Sequence, residues 1–157
     1  MKRDIAITKL NSSFLSYEKD LETILKKLFV TSKPYDEVLK RLLVINTEDC
    51  LDNTESEVYK NKLAEMSLAK LKDEGYITIT PKIRFNEHEE VKTYIVITMD
   101  NFTPTSNPEF RDCTVSFDIL CHTDCWEVGN YRIRPLKIAG YIDAILNGTK
   151  LSGIGTF

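Results

Sequence analysis

No glycine occurs before Gly75, and five of the six in the chain fall after residue 128. A glycine-free first half excludes phosphate-cradling loops there, and the later glycines follow neither the Walker A nor the G-x-G-x-x-G order. No apolar run approaches the roughly 20 residues of a membrane span, so no membrane role is expected. The first ten residues, MKRDIAITKL, have two early basic residues but no apolar stretch after them, which argues against a secretion signal. Excess positive charge is missing too. Residues 1–75 carry 13 basic and 14 acidic side chains (net −1), and the whole chain is at −3. Neither half is therefore a basic nucleic-acid domain. There are two histidines and one tryptophan, so catalysis built on imidazole has little material.

What is present fits one domain over residues 1–157, with 42% hydrophobic and 29% charged residues, a globular balance. Four cysteines without a secretion signal point to reduced thiols in a cytoplasm. The first part, 1–75, reads as helical. Phe14, Tyr17, Leu21, Ile24, Leu25 and Leu28 keep the 3.6-residue period, with Ser12 or Ser13 as the cap. Ser32 and Pro34 precede a second helix, with Asp36 and Glu37 near its N-terminus. Its apolar stripe is Tyr35, Val38, Leu39, Leu42 and Leu43. Thr54-x-x-Glu57 is a capping-box pattern, and predicts one third helix running through Leu63, Met66, Leu68 and Leu71 to Gly75. Its broad apolar arc predicts cover on more than one side.

The second part, 76–157, reads as strands and one helix. Ile77, Ile79, Ile83 and Phe85 share a parity, and Val91 to Met99 is a return strand, predicting a long hairpin. Asp100 to Glu109 reads as a loop. In Arg111 to Cys121, residues Cys113, Val115, Phe117, Ile119 and Cys121 face one way, and Thr114, Ser116 and Asp118 the other. Pro135 fits the first turn of a helix with Leu136, Ile138, Ile142, Ile145 and Leu146 inward and Gly148 as its stop. The tail after Lys150 has room for one final strand. The fold class is α+β: a mainly antiparallel sheet with N-terminal helices and one C-terminal helix packed on it.

The one cluster that suggests chemistry is Cys113…Cys121-His122-x-x-Cys125, three thiols and an imidazole. Along one strand, however, Cys113 and Cys121 lie roughly 26 Å apart and cannot share a metal. Cys121 and His122, as strand neighbours, point to opposite faces, which defeats a nucleophile–base pair. His88 lies in a charged turn. The acids Glu48, Asp49, Asp52, Glu55 and Glu57 lack the alternating order of a calcium loop. No catalytic residue, metal or cofactor is expected. Arg111, Arg132 and Arg134 suit phosphates or pairing with Asp112, Asp118 and Glu127 within the protein or across an interface. Trp126, in a polar turn, suits either a corner anchor or an interface hot spot.

The order helix–helix–strands–helix–strand resembles the neck and tail-terminator proteins of long-tailed phages. The likeness is carried by YIVITMDNF (94–102), RDCTVSFDILCH (111–122), Trp126, RIRPLKIAGYIDAILNG (132–148) and LSGIG (151–155). It implies a non-enzymatic virion protein at the head–tail junction, assembled in the host cytoplasm. Such subunits form closed rings, commonly six-fold, between the head connector or stopper and the tail-tube protein. DNA passes through the channel without sequence-specific binding, which suits the mildly acidic charge. Contacts with other subunits or partners are then expected at Glu87, His88 and Glu89, at Asn101, Phe102 and Thr103, and at Trp126, Arg132 and Arg134. Strand addition between subunits would satisfy exposed sheet edges. The alternative is a small intracellular adaptor or regulatory domain that binds a protein partner through the 76–99 hairpin.

Overall fold

The computed structural model describes residues 17–79, 91–107, 111–151 and 154–157. Helix α1, Tyr17–Phe29, buries Leu21, Ile24, Leu25, Leu28 and Phe29. Its first turn carries Glu18 and Asp20 and its last Lys26 and Lys27, each sign at the end the helix dipole favours. Ser12, Ser13 and Phe14 lie outside the described residues. Helix α2, Tyr35–Val44, buries Leu39, Leu42, Leu43 and Val44 and packs on α1. Tyr35 departs from the expected stripe: it is exposed, tilted against Tyr141 with ring centroids 6.0 Å apart.

The single third helix expected up to Gly75 is two helices, α3 at Glu57–Glu65 and α4 at Leu68–Asp73. Ser67 breaks the run, because its hydroxyl accepts from the Lys70 amide and starts a new helix. The cap of α3 is Ser56, accepting from the Tyr59 amide, and not the Thr54–Glu57 box. Helix α3 buries no residue fully, so the cover expected on several sides is absent there. Only Leu71 is buried in α4.

The sheet has the order β1-β2-β3, from Ile77–Thr78, Thr93–Pro104 and Arg111–Cys121. Among the described residues the expected 76–99 hairpin is not seen: β1 pairs with β2 in parallel, Ile77 against Ile95, and Ile83 and Phe85 lie outside the described residues. A parallel pair needs a connection of about a dozen residues or more, and the chain between Thr78 and Thr93 is long enough. Strand β2 also continues through the expected 100–109 loop as far as Pro104. The antiparallel hairpin is β2–β3, with Ile95 opposite Ile119, Ile97 opposite Phe117 and an irregularity between Asp100 and Thr103. Thr93 to Ile97 is buried on both faces, and from Asp100 onward the strand leaves the core.

Helix α5, Arg134–Leu146, begins at Ile133 with Pro135 in its first turn and ends near Gly148, whose φ is +70°. It packs on α1, α2 and β3 through Ile138, Ile142, Ile145 and Leu146. Leu136 reverses the expected inward placement and is 68% exposed. In place of one final strand, the tail forms its own two-stranded hairpin, β4 (Lys150–Leu151) with β5 (Gly155–Thr156). The core thus lies between α1, α2 and α5 and one face of the sheet. The α+β class with a mainly antiparallel sheet is as expected. No helix among the described residues is long and apolar enough to cross a membrane.

Candidate functional site

The corner between β3 and α5 is organised around a buried charge. Arg134 is fully buried, and its guanidinium meets carbonyl oxygens. Nε donates to Cys125 at 2.5 Å, Nη1 to Leu42 and Ile45 at 2.7 Å each, and Nη2 to Thr47 at 2.8 Å. Leu42 belongs to the last turn of α2, whose final carbonyls have no partner within the helix and carry the negative end of its dipole. The guanidinium therefore closes that helix end and joins it to the corner. Lys62 serves the neighbouring Val44 carbonyl at 3.0 Å. Sequence reasoning put Arg134 on an interface, and the structure corrects this: its planar fork of donors is consumed inside.

On this base stands a small turn. The Arg134 amide donates to the Trp126 carbonyl at 2.8 Å, Glu127 bridges to Ile133, and the Val128 amide donates to Arg132 at 2.8 Å. Gly129 has φ +59°, and a Cβ there would stand 2.7 Å from Asp52 Oδ2, so both backbone and space call for glycine. Arg132 Nη1 pairs with Asp52 Oδ1 at 3.1 Å, with both side chains about half exposed. The partner is thus Asp52 and none of Asp112, Asp118 and Glu127, the acids expected to pair with the arginines.

Tyr131 occupies the tip of this turn at φ +61°, with its side chain as open to solvent as in an isolated residue (102%). A bulky non-glycine residue is rarely held in the left-handed region. Trp126 is 43% exposed, Ile133 39% and Leu136 68%. Of the eight large hydrophobic side chains exposed among the described residues, four lie between 126 and 136. Tyr131, Ile133, Leu136 and Tyr141 line a groove of about 510 Å³ with Lys137 and Arg132. Sequence reasoning passes over Tyr131; the Gly129-Asn130 pair before it signals a tight turn and was the available pointer.

The other expected contacts are scattered. Glu87, His88 and Glu89 lie outside the described residues. Asn101 and Thr103 are exposed at the irregular part of β2, where Asn101 takes φ +53° and Thr103 Oγ1 donates to the Asn101 carbonyl at 3.2 Å. Phe102 is half-buried, edge-on to Tyr17 with centroids 6.2 Å apart.

The thiols do converge in part. Cys121 and Cys125 Sγ atoms are 3.6 Å apart, and Thr93 Oγ1 is 3.3 Å from the first and 3.4 Å from the second. Burial pushes the Cys121 thiol up to about 11, which disarms it as a nucleophile. His122 turns its Nδ1 to accept from the Asp124 amide at 3.2 Å, capping a 3-10 turn. Among the described residues no three His, Cys, Asp or Glu side chains gather as a metal site. The arrangement is a braced corner that presents apolar and aromatic surface.

No curated protein and no solved structure matches the chain. A family model does match, that of YomW, over residues 36–157, a span that holds α2 through the C-terminal tail and so the whole corner. The chain therefore belongs to the YomW family and is a phage-associated protein.

Proposed function

We propose that the protein is a structural subunit of the head–tail junction of a tailed phage, a neck or tail-terminator ring that joins tail tube to head connector and leaves a channel for DNA. The observation that carries this reading is Tyr131, an aromatic ring wholly exposed at left-handed φ on a turn braced from beneath. Holding such a residue away from every packing partner is unfavourable for an isolated domain. It is favourable where a second surface receives the ring, since aromatic anchors dominate binding energy. Trp126, Ile133 and Leu136 add apolar area beside it. The membership in a phage-associated family supports a role in the particle. In this reading the protein catalyses nothing, and its partners are further copies of itself, the tail-tube protein and a connector or stopper. The adaptor alternative would use the 76–99 stretch, whose described part is a parallel β1–β2 pair.

The test is genetic. A phage with an early stop codon in this gene is induced, and the lysate is viewed by electron microscopy. Filled heads separate from tails of irregular length support the proposal. Joined particles of normal number and infectivity overturn it.

A further inference from the structure

Among the described residues strand β3 is an edge strand, and its free side follows residue by residue. The Ile95 amide donates to Tyr76, on the β1 side, and the His122 amide donates to Lys92, on the β2–β3 side. The antiparallel ladder therefore uses the even-numbered residues of β3, Thr114, Ser116, Asp118 and Leu120. Cys113, Val115, Phe117 and Ile119 turn their N–H and C=O groups outward. Among the described residues no backbone hydrogen bond reaches that side. Alongside it runs an apolar groove of about 500 Å³, lined by Phe117 and Ile119 from β3 and by Ala139, Ile142, Asp143 and Leu146 from α5. A row of free backbone groups beside a groove that takes every second side chain is the geometry of strand addition.

We infer that this edge receives the segment Asp4–Leu10 of a neighbouring copy, which adds a strand to β3 and places Ile5 and Ile7 over the groove. The inference rests on the ring reading and names the contact that would build the ring. Three features select this occupant. Asp4–Leu10, DIAITKL, has no glycine or proline and puts its two isoleucines on one parity, as a half-buried strand requires. It is flanked by Lys2 and Arg3 and contains Lys9, while the receiving side is acidic. Burial raises the Cys113 thiol at one end, with smaller contributions from nearby acids that include Asp112 and Asp100, and Asp143 lines the groove. Six residues, 11–16, separate this segment from Tyr17, a tether of up to about 20 Å when extended. Tyr17, where the described chain begins, stands edge-on to Phe102 of the β2–β3 hairpin. A head-to-tail contact of this kind closes a ring when its rotation fits.

Amide hydrogen exchange on the full chain tests this, at concentrations above and below assembly. The Val115, Phe117 and Ile119 amides are expected to exchange about 100-fold more slowly in the assembly than in the dilute chain. Ile5→Asp with Ile7→Asp should abolish both the protection and the assembly. So should Val115→Pro, which removes an outward N–H while the β2 ladder stays intact. Rings without protection at these amides, or rings unaffected by the Ile5/Ile7 variant, overturn the inference and leave the ring reading standing. Protection independent of concentration overturns it as well, because the strand then comes from the same chain. A chain that neither assembles nor protects these amides, alone or with tail tubes and head connector added, removes the inference and the ring together.

Discussion

Arg134, the first residue of α5, donates from Nη1 to the Leu42 carbonyl of α2 at 2.7 Å, across 92 positions of sequence. That bond ties the helical first part of the chain to the corner that carries Tyr131. With three further carbonyls on the same guanidinium, the corner has little freedom to move relative to α2.

Replacing Arg134 should therefore act on stability before it acts on any partner. Arg134→Met leaves several buried carbonyls without a donor and should cost about 3–5 kcal/mol in urea unfolding. Arg134→Lys should recover only part, because an ammonium group cannot span carbonyls spread around a planar fork. Equal stability for Arg134→Met and the unaltered chain would contradict the bonding described.

Tyr131 should behave in the opposite way. Tyr131→Gly relieves the left-handed backbone and removes a side chain that packs on nothing, so stability should stay within about 1 kcal/mol. Assembly and docking should fall sharply, read as particle mass and as binding to tail tubes. A variant that assembles normally would show that the exposed ring serves no contact.

Asp49 gives a pH signature. Thr47, Tyr59 and Asn53 bond its carboxylate and hold it at about 2, below the ordinary 3.8. Tyr59 Oη donates to Oδ1 at 2.8 Å and Asn53 Nδ2 to Oδ2 at 3.0 Å. A depressed carboxylate stabilises the fold above its unfolded value and loses that contribution as pH falls through the folded one. Stability should thus decline between pH about 4 and about 2, and Asp49→Asn should flatten that part of the curve. Superimposable acid curves would count against these bonds.

Cys121 should resist alkylation. At pH 8 a thiol raised to about 11 has a thiolate fraction on the order of 100-fold below that of an ordinary cysteine. Peptide mass spectrometry after iodoacetamide should find it labelled slowly in the folded protein and quickly in urea. Equal rates in both states would mean the Thr93–Cys121–Cys125 cluster is open.

Local patterns carried most of the fold. The period of Leu21, Ile24, Leu25 and Leu28, the alternation from Cys113 to Cys121, and Pro135 with Gly148 mark α1, β3 and α5 where they are found. The misplacements are tertiary. The direction of β1 depends on a partner strand, since an apolar parity serves parallel and antiparallel pairing alike. The break at Ser67 is a contest between helix continuation and a side-chain cap, in which composition favours neither. The site was legible as a stretch, Trp126 to Arg134, but not in its roles. Whether an arginine faces solvent or the end of a distant helix is decided by Leu42 and Ile45, some 90 residues away.

The central claim is a ring, and particle mass tests it most directly. Light scattering on the purified protein over a range of concentrations, with negative-stain images, should show rings, alone or once tail tubes are added. A strict monomer that ignores both tail tubes and head connector would contradict the account.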